Sequence, residues 1–180
     1  MYYHPQKKIL ISKSFKTASS SFFSFLKDNC CGEKGLVVNK HITLKNLLKK
    51  YKLNSQDVTK IVQVRNPWGY IVSAYYWAKS NKECPSNYTF EDFVFKSNQF
   101  YILKQLEFWD LNYIDKVIRF EHLKEDIKQF CLDYNFSYIN ISHQKKGSYK
   151  KHYREVHTQE TAQYVANIFH KQIKAFNYEY

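Results

Sequence analysis

Glycine is scarce in this chain, 4 residues in 180, which leaves little material for a glycine-rich phosphate loop; the GxxxxGK[ST] pattern of ATP and GTP kinases is absent. Cysteine is equally sparse. Cys30, Cys31, Cys84 and Cys131 stand neither in CxxC spacing nor beside histidines in a zinc pattern, which argues against a metal site or a disulfide framework and for reduced, buried thiols. Long apolar runs are missing as well: "MYYHPQKKILISKS" holds an apolar run of three residues, too short for the core of a signal peptide, and no stretch approaches the length of a membrane span. A cytoplasmic chain without a membrane span is therefore expected. Acids are outnumbered, 16 against 28 Lys and Arg, for a net charge of +12, so the surface should attract phosphate, sulfate, nucleic acid or acidic membrane.

What is abundant is aromatic: Phe, Trp and Tyr make up 18% of the residues, the composition of a packed core rather than a disordered tail. The length fits one domain over residues 1–180. Strand candidates are "KKILIS" (7–12), "GLVVN" (35–39), "KIVQV" (60–64) and "KVIRF" (116–120). Helical spacing recurs between them, in Phe22, Phe25 and Leu26, in Leu44, Leu47, Leu48 and Tyr51 behind a Thr43 cap, and in Leu123, Ile127 and Phe130. A loose capping box, Thr89 with Asp92, starts another helix, a further one covers much of 99–110, and Thr158 caps a long amphipathic helix running to Phe176. Strands alternating with helices predict an α/β fold with a mostly parallel central sheet flanked by helices, and in such sheets ligands sit beyond the strand C-termini.

Two stretches lie at such strand ends. In "SKSFKTASSS" a strand gives way to a short loop bearing Lys16 and then to Ser19, Ser20 and Ser21 at a helix start, where unpaired amides and the positive end of the dipole can cradle a phosphate. Alone, it fits equally a solvated lysine beside a Ser-capped helix. In "VRNPWGYIVSAYYW" Arg65 leaves a strand, Pro67 opens a helix, and Ser73 follows eight residues after Arg65, so that a guanidinium and a hydroxyl could share one anion. Two anion sites on strand ends suggest a ligand with two separated phosphates.

"KTASSSF" resembles the phosphosulfate-binding loop of sulfotransferases that use 3'-phosphoadenosine 5'-phosphosulfate (PAPS), and "VRNPWGYIVSAYYW" resembles their 3'-phosphate motif. "NKHITLKNLL", "DKVIRFEHLKEDI" and the terminal "HYREVHTQETAQYVANIFHKQIKAFNYEY" extend the likeness over nearly the whole chain, in the manner of the small carbohydrate-type enzymes. The resemblance implies a P-loop-like three-layer fold and in-line transfer of a sulfuryl group from PAPS to a hydroxyl acceptor, a carbohydrate ahead of a lipid, with PAP as product and no metal. It implies binding of the 5'-phosphosulfate by Lys16, Thr17, Ala18, Ser19, Ser20 and Ser21, of the 3'-phosphate by Arg65 and Ser73, and closure of a basic loop with Lys146 and Gly147 over the nucleotide. Lys16 would stabilise charge on the bridging oxygen, and His41 would take the acceptor proton, with Glu33 or Asp57 as other candidate bases. The chain departs from its relatives at Phe15, where many have Pro, at Ala18-Ser19, where a Gly is usual, and at Gly69-Tyr70, where an acid and then Arg are common. Two other readings stay open: a basic, aromatic-rich nucleic-acid-binding module, disfavoured by scattered charges and the lack of an RRM, KH or zinc-finger signature, and a PAPS-binding protein without turnover.

Overall fold

The computed structural model describes residues 1–30, 36–37, 41–96, 104–138 and 151–180. The chain folds as two compact units, Met1–Val64 with Phe108–Lys145, and Arg65–Glu107 with Lys146–Tyr180. Among the described residues no helix is long and apolar enough to cross a membrane.

The first unit is built on a mixed sheet whose five described strands are β1 (Tyr2–His4), β2 (Ile9–Ser12), β3 (Leu36–Val37), β4 (Thr59–Val64) and β5 (Lys116–Arg119), in the order β3-β1-β2-β4-β5. β2, β4 and β5 are mutually parallel, while β1 runs antiparallel to both β2 and β3, so four strands share one direction and β1 alone opposes them. The expected α/β sheet is present with that one exception. β1 escaped the sequence reading because three residues before Pro5 are too few to show a period, although Tyr2 is fully buried.

β2 is buried at every position and apolar from Ile9 to Ile11, as a strand covered on both faces must be. Ile9 and Ile11 share one face with Ile61 and Ile118, onto which α1 (Ser19–Cys30) sets Phe22, Phe25 and Leu26 and α6 (Leu123–Tyr134) sets Leu123, Ile127 and Phe130. Each such fully buried side chain contributes roughly 1.5–3 kcal/mol. Ser12 points to the opposite face, and its hydroxyl donates to the Ile42 carbonyl at 2.7 Å, which anchors the segment leading into α2 (Leu44–Tyr51). There Thr43 accepts from the Asn46 amide and Leu44, Leu47 and Leu48 are buried, the predicted face and cap.

The second unit is helical, with α3 (Pro67–Ser80), α4 (Phe90–Phe95), α7 (Gln159–Ile168) and α8 (His170–Phe176); the short α5 (Lys104–Phe108) ends at the boundary of the units. The Thr89–Asp92 capping box forms as predicted, and Thr158 caps α7. The single long terminal helix of the sequence reading is instead two, because the fully buried Phe169 caps α7 while packing on Tyr70, and the His170 ring bonds the Asn167 carbonyl. His157 fastens the unit: its Nε2–H donates to the Trp68 carbonyl at 3.2 Å, which leaves Nδ1 to accept from the Thr161 hydroxyl at 3.1 Å. Trp68 in turn donates from its indole to the Ala162 carbonyl.

Burial holds the His157 pKa below its ordinary 6.5. Below that value the unfolded chain takes up a proton that the folded imidazole resists, so this contribution to stability is complete above about pH 6.5 and is lost as the pH falls toward the lowered folded value. In urea denaturation between about pH 7 and 5, the wild-type protein is expected to lose stability more steeply than His157→Gln; identical slopes would contradict the buried neutral imidazole.

Candidate anion-binding site

The loop between β2 and α1 takes an unusual path. Lys16 and Ala18 both have left-handed backbones, with φ of 53° and 57°, separated by Thr17 with negative φ. Left-handed geometry costs a residue with a side chain about 1–2 kcal/mol, and alternating the hand of successive residues turns their N–H groups into a common concavity suited to an anion. Ala18 thus stands in a conformation that glycine adopts freely. Its carbonyl accepts from the Ser21 and Phe22 amides, so the amides of Ser19 and Ser20 precede the first intrahelical bonds of α1. No acid stands in the first turn of α1 to neutralise it, in contrast to Glu91 and Asp92 on α4, Glu125 and Asp126 on α6, and Glu160 on α7.

Buried hydrogen bonds hold this strained loop to the sheet. The Ser14 hydroxyl donates to the Gln63 backbone carbonyl at 2.7 Å, and the Gln63 side-chain amide donates to the Thr17 carbonyl at 3.2 Å. Thr17 is fully buried, and its hydroxyl turns toward the Ser14 carbonyl at 3.5 Å; Ser19 and Ser21 are buried too, while Lys16, Ala18 and Ser20 are half-buried. Gln63 lies two residues before Arg65 and was missed in the sequence, since its bond to Thr17 spans 46 positions.

His41 meets the same loop. Its ring lies 3.8 Å from the Phe15 ring at an interplanar angle of 11°, with the edge of Phe108 near both, and its Nδ1 is 2.8 Å from the Lys13 carbonyl. A carbonyl only accepts, so Nδ1 carries the hydrogen and Nε2 of the neutral ring keeps its lone pair. The residue as a whole is exposed. Burial of the ring, helped by the positive charges of Lys13 and the amino terminus, nonetheless outweighs the Lys13 carbonyl and lowers the His41 pKa. The geometry supplies an unprotonated base beside a cationic loop. Asp57 does not: it lies in a 3-10 turn leading into β4 at its N-terminal end, and six residues of strand, roughly 20 Å, separate that end from the one carrying the loop.

In the second unit, Asn66 caps α3 by accepting from the Trp68 and Gly69 amides at 3.1 and 3.2 Å, so those donors are already engaged. The Arg65 guanidinium lies against Gly69 and Tyr153: a Cβ built on Gly69 would be 3.6 Å from Arg65 Nε and from the Tyr153 ring. Ser73, buried on α3, is one helical turn beyond Gly69 on the same face. Tyr70 is buried in the core and burial raises its pKa well above the ordinary tyrosine range, which removes it from ligand contact. Trp68 and Tyr75 are packed on neighbouring rings, Tyr180 for the first and Phe90 and Phe93 for the second. Arg119 pairs with Asp126, its amide donating to Asp126 Oδ2 at 2.6 Å and its guanidinium 4.0 Å from the same oxygen. Glu33, Lys146 and Gly147 lie outside the described residues.

No known family, curated protein or solved structure matches the chain.

Two measurements test this geometry. Ala18→Gly relieves one left-handed side chain and should raise stability by up to about 1 kcal/mol in chemical denaturation; a loss of stability would show that Ala18 is not strained. Phe15→Leu removes the stacked ring, and NMR titration should find the His41 pKa shifted upward toward 6.5, whereas an unchanged pKa would mean that Phe15 does not shield the imidazole.

Proposed function

We propose that this chain is a PAPS-dependent sulfotransferase with a P-loop-like core, acting on a hydroxyl acceptor of carbohydrate type. The observation that carries the proposal is the left-handed pair Lys16 and Ala18 opening onto an acid-free helix start, a costly geometry whose chemical use is to hold an anion. The order of motifs in the sequence names that anion.

The loop amides and the Ser20 hydroxyl hold the 5'-phosphosulfate, with Thr17, Ser19 and Ser21 contributing backbone more than side chain because they are buried. The acceptor oxygen attacks sulfur in line, an S–O bond forms to the acceptor, and the S–O bond to the bridging phosphate oxygen breaks, leaving PAP with the electron pair. His41 Nε2 takes the proton of the acceptor hydroxyl. Lys16 meets the charge that builds on the bridging oxygen, as preorganised cations do in phosphoryl transfer. Arg65 and Ser73 take the 3'-phosphate, for which the guanidinium has the forked geometry. Lys146 and Gly147 are assigned to the nucleotide by the resemblance alone.

Isothermal titration of adenosine 3',5'-bisphosphate into the wild-type protein should give saturable binding, weakened about tenfold or more in Arg65→Ala. With PAPS and an accepted glycan, Lys16→Ala should lower kcat by a hundredfold or more, on the order of 3 kcal/mol. A folded wild-type protein that fails to bind the bisphosphate would overturn the proposal.

A further inference from the structure

We infer that the solvent face of α2 is an acceptor-binding surface for an anionic glycan, a chain of sugars bearing carboxylate or sulfate groups; the acceptor role rests on the sulfotransferase reading. α2 buries Leu44, Leu47 and Leu48 and exposes Lys45, Asn46, Lys49 and Lys50, with Lys52 exposed at its C-cap. Lys45, Lys49 and Lys52 follow one another at i, i+4 and i+7, a line of cations about 10 Å long. From His41 to Gln56 the sequence contains no acid.

Local physics works against this arrangement. Like charges at i and i+4 destabilise a helix by a few tenths of a kcal/mol, and Lys45 stands in the first turn, where the dipole already presents positive charge. Three lysines elsewhere are matched: Lys60 pairs with Asp115, Lys96 with Asp92, and Lys116 with Asp133. Among the described residues none of the four α2 lysines has an acidic partner. A helix that breaks both charge rules without internal compensation is expected where an external anion supplies it.

Position and chemistry choose the occupant. Lys45, the first of the line, follows His41 by four residues across the Thr43 cap, so the proposed acceptor hydroxyl at Nε2 puts its neighbouring sugars within reach of the lysines. A nucleic acid would need open rings for base stacking, and the only aromatic residue of α2, Tyr51, is half-buried and stacked on Tyr3 at 5.8 Å and 25°. Charge complementarity with exposed cations and no stacking platform fits an anionic polysaccharide.

The test compares two triple variants of equal charge, Lys45→Gln/Lys49→Gln/Lys52→Gln and Lys124→Gln/Lys128→Gln/Lys171→Gln, after circular dichroism confirms that both fold. The second set is also exposed and helical but lies on α6 and α8. A heparin hexasaccharide, its desulfated and carboxyl-reduced neutral counterpart, and a single-stranded oligothymidylate are the probes. The expected result is at least tenfold weaker hexasaccharide binding in the α2 variant, less than twofold change in the other, and no binding of the neutral sugar. Equal losses in both variants, or oligothymidylate binding that depends on α2 more strongly than the hexasaccharide does, would overturn the inference. Adenosine 3',5'-bisphosphate titrated into the same proteins keeps the readings apart: no nucleotide binding by the parent sinks the sulfotransferase reading, whereas intact nucleotide binding with glycan binding insensitive to α2 sinks the surface alone.

Discussion

The loop between β2 and α1 is tied to the sheet through one buried residue. Gln63 is fully buried in β4, its backbone carbonyl accepts from the Ser14 hydroxyl and from the Trp109 indole at 3.0 Å, and its side chain reaches across to the Thr17 carbonyl. The other end of that side-chain amide, Oε1, has no hydrogen-bond partner among the described residues, a deficit that typically costs about 1–3 kcal/mol. An apolar residue would avoid the cost. The presence of Gln63 is understandable as a constraint on the loop, because its bond to the Thr17 carbonyl adds to that of the Ser14 hydroxyl in opposing the relaxation of the left-handed residues on either side of Thr17.

The same trade between local and global preference recurs around the site. α1 lacks an acid in its first turn, α2 carries a lysine there, and the amides of α3 are satisfied by Asn66 rather than by a charge. Helices α4, α6 and α7 follow the ordinary dipole rule. α8, which continues α7 after Phe169, also lacks an acid. Two of these departures, at α1 and α3, fall on the segments whose sequence pointed to phosphate, and at α1 the hydrophobic layer of Ile9, Ile11, Phe22 and Phe130 holds the helix in place.

His41 shows how packing lowers the proton affinity of a common side chain. The Lys13 carbonyl fixes the tautomer, Phe15 covers a ring face, and nearby positive charge disfavours protonation. Stacking of the Phe15 ring on His41 couples the loop to the imidazole, a contact that a side chain without an aromatic ring would not make.

Short-range patterns were fully legible in the sequence: the buried run of β2, the helical faces of α1, α2 and α6, the caps at Thr43, Thr89 and Thr158, and the placement of Lys16 and Arg65 just beyond strand ends. These depend on residues a few positions apart, where period and capping chemistry act. The tertiary structure alone decided that β1 inserts beside β2, that the last helix breaks at Phe169, that Asp57 sits at the wrong end of β4, and that Gln63 and Phe15 shape the site. The Ser14 to Gln63 and Lys13 to His41 contacts span 49 and 28 positions, and such pairings follow from how the closed chain packs, which no local period encodes.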